Sequence, residues 1–195
     1  PGINLDLFMS SDAHVWHLYQ KYGREKDAII VESVMGLFDG SVNPEDSSAK
    51  IAKLLNIPVI LVLDARAMAS TAAAILYGFK HFDPDLQLAG VIFNFVNSTT
   101  HYQFLEESAV RVGVRPLGYI PVNDEITIPS RHLGLNFSTG LGEAAWLDRL
   151  AGHISQYLHL DQLIHATSKK IPDFKLSPEF HFVGSSPRIG VAFDE

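Results

Sequence analysis

The sequence predicts an α/β fold, layered, with a mainly parallel sheet flanked by helices, and three observations predict it. Apolar runs rich in Val and Ile recur at strand length: Ala28-Ile29-Ile30-Val31, Pro58-Val59-Ile60-Leu61-Val62-Leu63 and Leu88-Ala89-Gly90-Val91-Ile92-Phe93. Such unbroken runs suit strands covered on both faces, as in parallel sheets. Between them lie segments with helical spacing, and this strand–helix alternation is the signature of crossover units.

The elements follow in order. Residues 12–22 read as a helix, opened by Ser10-Ser11-Asp12 as caps, with Val15, Leu18, Tyr19 and Tyr22 on one stripe. Residues 28–31 are the first expected strand. Residues 47–55 place Ile51, Leu54 and Leu55 on one helical face, and lead into the strand at 58–63. Residues 70–79 are Ala-rich and apolar nearly all round, which predicts a well-buried helix, with Ser70 as its cap. After the strand at 88–93, residues 101–112 carry Phe104, Leu105, Ser108 and Val112, and Gly113 ends the helix. Pro116-Leu117-Gly118-Tyr119-Ile120 reads as a fourth strand. A last helix near residues 142–160 aligns Ala145, Trp146, Leu150, Ile154 and Leu158. Beyond Ser168, residues 169–186 hold Pro172, Pro178, Gly184, Ser185 and Ser186 and read as an extended linker, with a new strand from Arg188.

Composition narrows the function. The 195 residues are 47% hydrophobic and 19% charged, enough apolar material for one large core and too few charges for disorder. A net charge of −7 excludes a sequence-independent grip on nucleic acid, yet leaves room for an anionic ligand held by local dipoles. No apolar run is long enough for a transmembrane helix, so no membrane partner is expected. The chain has no cysteine, which removes disulfides, thiolate metal sites and a cysteine nucleophile, and is compatible with the cytoplasm.

In doubly wound sheets ligands bind at the carboxyl ends of strands, which singles out three segments. The first is Val31-Glu32-Ser33-Val34-Met35-Gly36-Leu37-Phe38-Asp39-Gly40. An acid ending a buried strand is costly unless it meets a cation or donors, so Glu32 is a candidate Mg²⁺ ligand. Asp39 follows in a glycine-punctuated loop that could bring it back to the same site. The alternative is a helix-capping acid and an ordinary Asp-Gly turn. In Asp64-Ala65-Arg66-Ala67-Met68-Ala69-Ser70-Thr71, Arg66 offers a fork for a carboxylate or phosphate, or is a plain surface arginine. In Phe93-Asn94-Phe95-Val96-Asn97, Asn94 presents the donor and acceptor that adenine requires, or else satisfies loop backbone. Among nine histidines, His14 and His17 sit three apart without a convincing ligand pattern, and His132 adjoins Arg131 in a polar loop. No Gly-x-x-x-x-Gly-Lys-Ser/Thr and no Gly-x-Ser-x-Gly occurs.

The segment at 31–40 resembles the V-E-G-V-M-G-L-Y-D-G motif of cobyrinate a,c-diamide synthases, with Ser33 for Gly and Phe38 for Tyr. The resemblance runs on in register through Asn4-Leu5-Asp6-Leu7, Asp64-Ala65-Arg66-Ala67-Met68-Ala69-Ser70, Gly90-Val91-Ile92-Phe93-Asn94-Phe95-Val96, His101-Tyr102, Leu117-Gly118-Tyr119-Ile120-Pro121 and Ile128-Pro129-Ser130-Arg131-His132-Leu133-Gly134-Leu135. It implies a dethiobiotin synthetase-like P-loop fold lacking its N-terminal P-loop unit. Residues 1–168 would be part of an ATP-dependent amidating domain, 169–186 a linker, and 187–195 the first strand of a glutamine amidotransferase-like domain.

The activity implied is activation of the a and c acetate carboxylates of a corrinoid by MgATP, followed by amide formation with ammonia from glutamine. The resemblance places Glu32 at the Mg²⁺–phosphate site, Asp39 beside the reacting carboxylate or its intermediate, and Asn94 at the adenine. Arg66, Ser70, Arg131 and His132 become candidate substrate contacts. Cofactor and partners would be Mg²⁺, ATP, a corrinoid or related tetrapyrrole, and ammonia from a C-terminal glutaminase domain, with a homodimer as the candidate assembly. Phe95 stands where the family usually has Arg. On this reading these residues by themselves turn over no ATP. Rival readings are an a,c-diamide synthase acting on hydrogenobyrinate or nickel-sirohydrochlorin, and a non-catalytic binding module of the same fold.

Overall fold

The computed structural model describes residues 2–40, 47–126 and 144–171, together with the backbone of 130–131 and 134–135. The expected linker beyond residue 171 and the strand expected from Arg188 lie outside the described residues, as does His132.

Three parallel strands form the sheet, in the order β1 (Val59–Asp64), β2 (Leu88–Val96) and β3 (Pro116–Pro121). Helix α3 (Thr71–Phe82) connects β1 to β2, and α4 (Thr99–Arg111) connects β2 to β3. Parallel neighbours cannot be joined by a hairpin, so each crossover needs a helix. The core lies between them. Val91, Phe93 and Val96 of β2 meet Ala72 and Leu76 of α3 and Tyr102, Leu105 and Ala109 of α4, all buried. A second cluster joins α1 (Asp12–Gly23) to α2 (Ser48–Leu54) through Val15, Trp16 and Leu55. The cap expected at α1 is present, with Ser11 Oγ accepting from the His14 N–H at 3.3 Å.

Three expectations need correction. Residues 28–31 form no strand and pair with none among the described residues, and Ile30 is 92% exposed. An apolar run states a preference for a sheet; without an edge offered beside it, no ladder forms. Helix α3 is not buried all round. Ala72 and Leu76 are covered by α4 and the sheet, while Tyr77 and Phe82 face outward, because only one side of the helix has a layer against it. Ser70 does not cap α3 through its side chain: its own backbone is already α-helical, so its hydroxyl makes no cap bond.

The helix expected near 142–160 is two helices, α5 (Ala144–Tyr157) and α6 (Leu160–Thr167). They separate where the chain turns to bond the sheet. Leu158 bridges Gly118, and the His159 N–H donates to the Leu117 carbonyl at 3.0 Å. No helix among the described residues is long and apolar enough to cross a membrane.

Candidate functional site

The loop carrying Glu32 and Asp39 is held from below by its own sequence. Leu37 and Phe38 pack on Ala49, Ala52 and Leu86, and the Phe38 ring lies 4.7 Å from that of Phe82. The Leu37 carbonyl accepts from the Ala49 N–H at 2.9 Å, and Ser33 Oγ lies 2.8 Å from Ser48 Oγ, which ties the loop to the start of α2. Within the loop the Asp39 N–H donates to the Gly36 carbonyl at 3.0 Å. The Asp39 carboxylate folds over Gly36 so closely that a Cβ there would lie 2.2 Å from Oδ2. The lack of a side chain at 36 leaves the room that this carboxylate occupies.

Glu32, Ser33, Asp39 and Ser48 line one cavity of about 1010 Å³, walled by residues 2–8, by the segment 28–31 and by the start of β1. The Glu32 carboxylate makes no hydrogen bond or ion pair among the described residues. Mg²⁺ is commonly held by one or two carboxylates plus substrate phosphates, and a free carboxylate on a cavity wall fits that donor type. Among the described residues no three acids or histidines gather into a metal site of their own.

The carboxyl edge of the sheet is a separate group. Asp64 pairs with Asn94 across β1 and β2, and Asn94 with Ile120 across β2 and β3. Asn94 Oδ1 accepts from the Phe95 N–H at 2.9 Å, leaving the amide nitrogen available. Phe95 has φ +59°, a left-handed conformation that costs a bulky residue about 1–2 kcal/mol. Ala67 in the facing loop is left-handed too, at +53°. Arg66 does not present a free fork. Its Nε donates to both Asp64 oxygens at 3.1 Å, its Nη2 to Oδ2 at 2.5 Å, and its guanidinium carbon lies 4.6 Å from the centre of the Phe95 ring.

The structure thus brings Glu32 with Asp39, and Arg66 with Asn94, Asp64 and Phe95. The expectation that Glu32 sits at the carboxyl edge with Asp64 and Asn94 is corrected: no strand among the described residues precedes it, and its cavity takes in the start of β1, so the two groups do not share one cavity. Ser70 lies exposed beyond the Arg66 turn. Arg131 lies in β4 (Ser130–Arg131), which pairs antiparallel with β5 (Gly134–Leu135) in a separate two-stranded sheet.

The Arg66 hydrogen bonds hold the Asp64 carboxyl below its ordinary value of 3.8, the side chain contributing most and the Arg66 backbone N–H next. A carboxyl depressed by folding stabilises the native state above its unfolded value, and that contribution is lost as pH falls through the folded value. Carboxyl NMR should therefore give Asp64 a midpoint under 3.8, moving upward in Arg66→Ala. A wild-type midpoint at or above 3.8 would contradict the pair.

Comparison with known families matches residues 8–130 to the AAA domain model. The chain belongs to that family. It is also 39% identical to the cobyrinate a,c-diamide synthase of Streptococcus sanguinis over 96% of its length, and 37% identical to that of Caldanaerobacter subterraneus over its full length. The protein of the same name from Saccharolobus solfataricus is 35% identical, again over the full length. The chain spans 42–44% of these relatives. No solved structure matches it. The resemblance read from the motifs thus extends along the chain, and the parallel sheet with flanking helices agrees with the fold class read from its apolar runs.

One residue at the carboxyl edge was missed in the sequence. His101 joins the two loops of that edge, its Nδ1 accepting from the Asn97 N–H at 3.3 Å and its Nε2 lying 2.6 Å from the Met68 carbonyl. Both bonds are satisfied by the neutral tautomer with its proton on Nε2. His101 opens α4 two residues after the first helical position, which is the only local signal that it could reach backward to the loop.

Proposed function

We propose that this chain is the ATP-dependent amidating part of an enzyme that converts the a and c acetate carboxylates of cobyrinate to amides, with glutamine as the nitrogen source. The similarity to proteins named cobyrinate a,c-diamide synthase, sustained over 96–100% of the chain, carries this reading. Residues 1–168 would supply the amidating domain, followed by a linker to a glutaminase domain that delivers ammonia.

In this reading Glu32 holds Mg²⁺ against the nucleotide phosphates, where the ion neutralises charge developing during phosphoryl transfer. Asn94, at the carboxyl edge and outside the Glu32 cavity, takes the adenine edge through the amide nitrogen that its bond to the Phe95 N–H leaves available, so the nucleotide of this reading has to reach from that cavity to the end of β2. Asp39, folded over Gly36, stands beside the reacting carboxylate or its intermediate. A carboxylate oxygen attacks the γ-phosphorus and ADP leaves. Ammonia then attacks the acyl carbon, phosphate departs, and the nitrogen loses a proton to give the amide. Arg131 and His132 are assigned to the corrinoid side.

The test is amide formation by the complete protein with ATP, Mg²⁺, glutamine and cobyrinate, followed by mass spectrometry. The expected product has gained two amides, with one ADP formed per amide. ATP-dependent amidation of nickel-sirohydrochlorin or hydrogenobyrinate in place of cobyrinate would move the substrate assignment. No ATP-dependent product with any of the three would overturn the reading.

A further inference from the structure

The Arg66–Phe95 pair has a geometry that a surface arginine does not need. Two edges of the guanidinium are locked by Asp64, so its charge is matched and its plane is fixed. One face rests on the Phe95 ring at 4.6 Å. The side chain is nevertheless 67% exposed, so the other face is open to solvent. Both turns that present the pair contain a non-glycine residue in the left-handed region, Ala67 and Phe95. Strain of that kind persists where surrounding structure enforces it, and it gathers at ligand sites. Asn94 adjoins Phe95 in sequence and pairs in register with Asp64, and its amide nitrogen is not used by its bond to the Phe95 N–H.

A guanidinium whose charge is satisfied is poorly suited to seize a phosphate. A fixed, flat cation is well suited to lie against an aromatic ring. We propose that the outer face of Arg66, backed by Phe95, is the stacking surface for the purine base of the nucleotide. The ring would lie on the guanidinium with its polar edge toward Asn94. The Asp64 clamp then serves positioning: it keeps the guanidinium plane parallel to Phe95 and removes the net charge that would otherwise draw the triphosphate to the wrong end of the site. The assignment rests on the nucleotide reading given above and adds the surface on which the base rests.

The test compares ATP with inorganic tripolyphosphate, which has the phosphates and no base, by calorimetric titration of the complete protein in Mg²⁺. Two variants are used. Arg66→Lys keeps the charge at an exposed position and loses the flat face, so folding should be intact. Phe95→Leu removes the ring behind it. Both should weaken ATP about tenfold, as expected for loss of one stacked cation–π contact, and leave tripolyphosphate within about twofold. Equal losses for ATP and tripolyphosphate in Arg66→Lys would mean that Arg66 serves the phosphates, and would overturn the proposal. Unchanged ATP affinity in both variants would overturn it while leaving the nucleotide reading standing. A wild-type protein that binds no ATP would bring down the nucleotide reading, and the stack with it. Weakened corrinoid binding with ATP unaffected would reassign the flat ligand and refute the purine assignment.

Discussion

Glu32→Gln in the complete protein is expected to lower ATP-dependent amidation by about 10²- to 10³-fold for both carboxylates, the range seen when one electrostatic contact to a reacting group is removed. The substitution keeps the side chain's size and removes the charge that would hold Mg²⁺. Because the defect is then one of metal affinity, raising Mg²⁺ should restore part of the activity. The structure makes this variant a clean probe. Glu32 has no partner to lose among the described residues, so folding stability should change little. Asp39→Asn should behave differently. It leaves the proposed metal ligand in place, so ATP affinity should be spared while turnover falls, as when an interaction is made chiefly in the transition state. If both residues are merely turn formers, the reverse pattern appears: lowered melting temperatures with normal turnover by the folded fraction. Turnover, ATP affinity and melting temperature measured together on the two variants decide the matter.

The parts of the fold that were legible are those where local preference and tertiary demand agree. The runs beginning at Val59, Leu88 and Pro116 became strands because each found a parallel neighbour, and α4 closes close to Gly113, whose φ is +66°. The run at 28–31 has the same composition and is no strand, since an apolar run carries no information about which edge will lie beside it. Composition overstated the burial of α3 for a related reason: alanine suits a close helix contact but does not require one on every side. Glu32 and Asp39 line one cavity, as their shared glycine-punctuated loop suggested, but beside the start of β1 and not at the carboxyl edge, because the run before Glu32 joins no sheet among the described residues. The capture of Arg66 by Asp64 was readable in principle from their spacing of two across a turn. Phe95 was not, because a bulky left-handed residue runs against its own local preference and is imposed by the irregular pairing of β2 with β3 after Asn94.

The largest purely structural effect is expected at Gly118. This residue lies in β3 with φ +113°, a backbone conformation that side-chain-bearing residues rarely adopt. A Cβ placed there would stand 2.3 Å from the Tyr157 carbonyl oxygen and 2.8 Å from the Leu158 Cα. Both neighbours are backbone at the junction of α5 and α6, so no side chain can swing aside to make room. The same contact carries the bridge from Gly118 to Leu158 and the bond from His159 to Leu117, and it sets Tyr119 between Tyr102 and Tyr157. Gly118→Ala must therefore lift the junction off the sheet or distort β3 beside Leu117, which is fully buried. Adding the left-handed strain to the overpacking gives a loss of roughly 2–5 kcal/mol, equivalent to a melting temperature lower by about 5–15 °C for a domain of this size. Gly152 on α5 provides the contrast, because a Cβ there meets nothing within 4 Å. Gly152→Ala should raise stability by about 0.5–1 kcal/mol, since glycine in a helix interior is the poorer residue. Thermal unfolding of the two variants side by side tests the junction and not merely glycine as such. A Gly118→Ala protein that melts within a degree of wild type would show that α5 and α6 are not anchored to β3 through this contact.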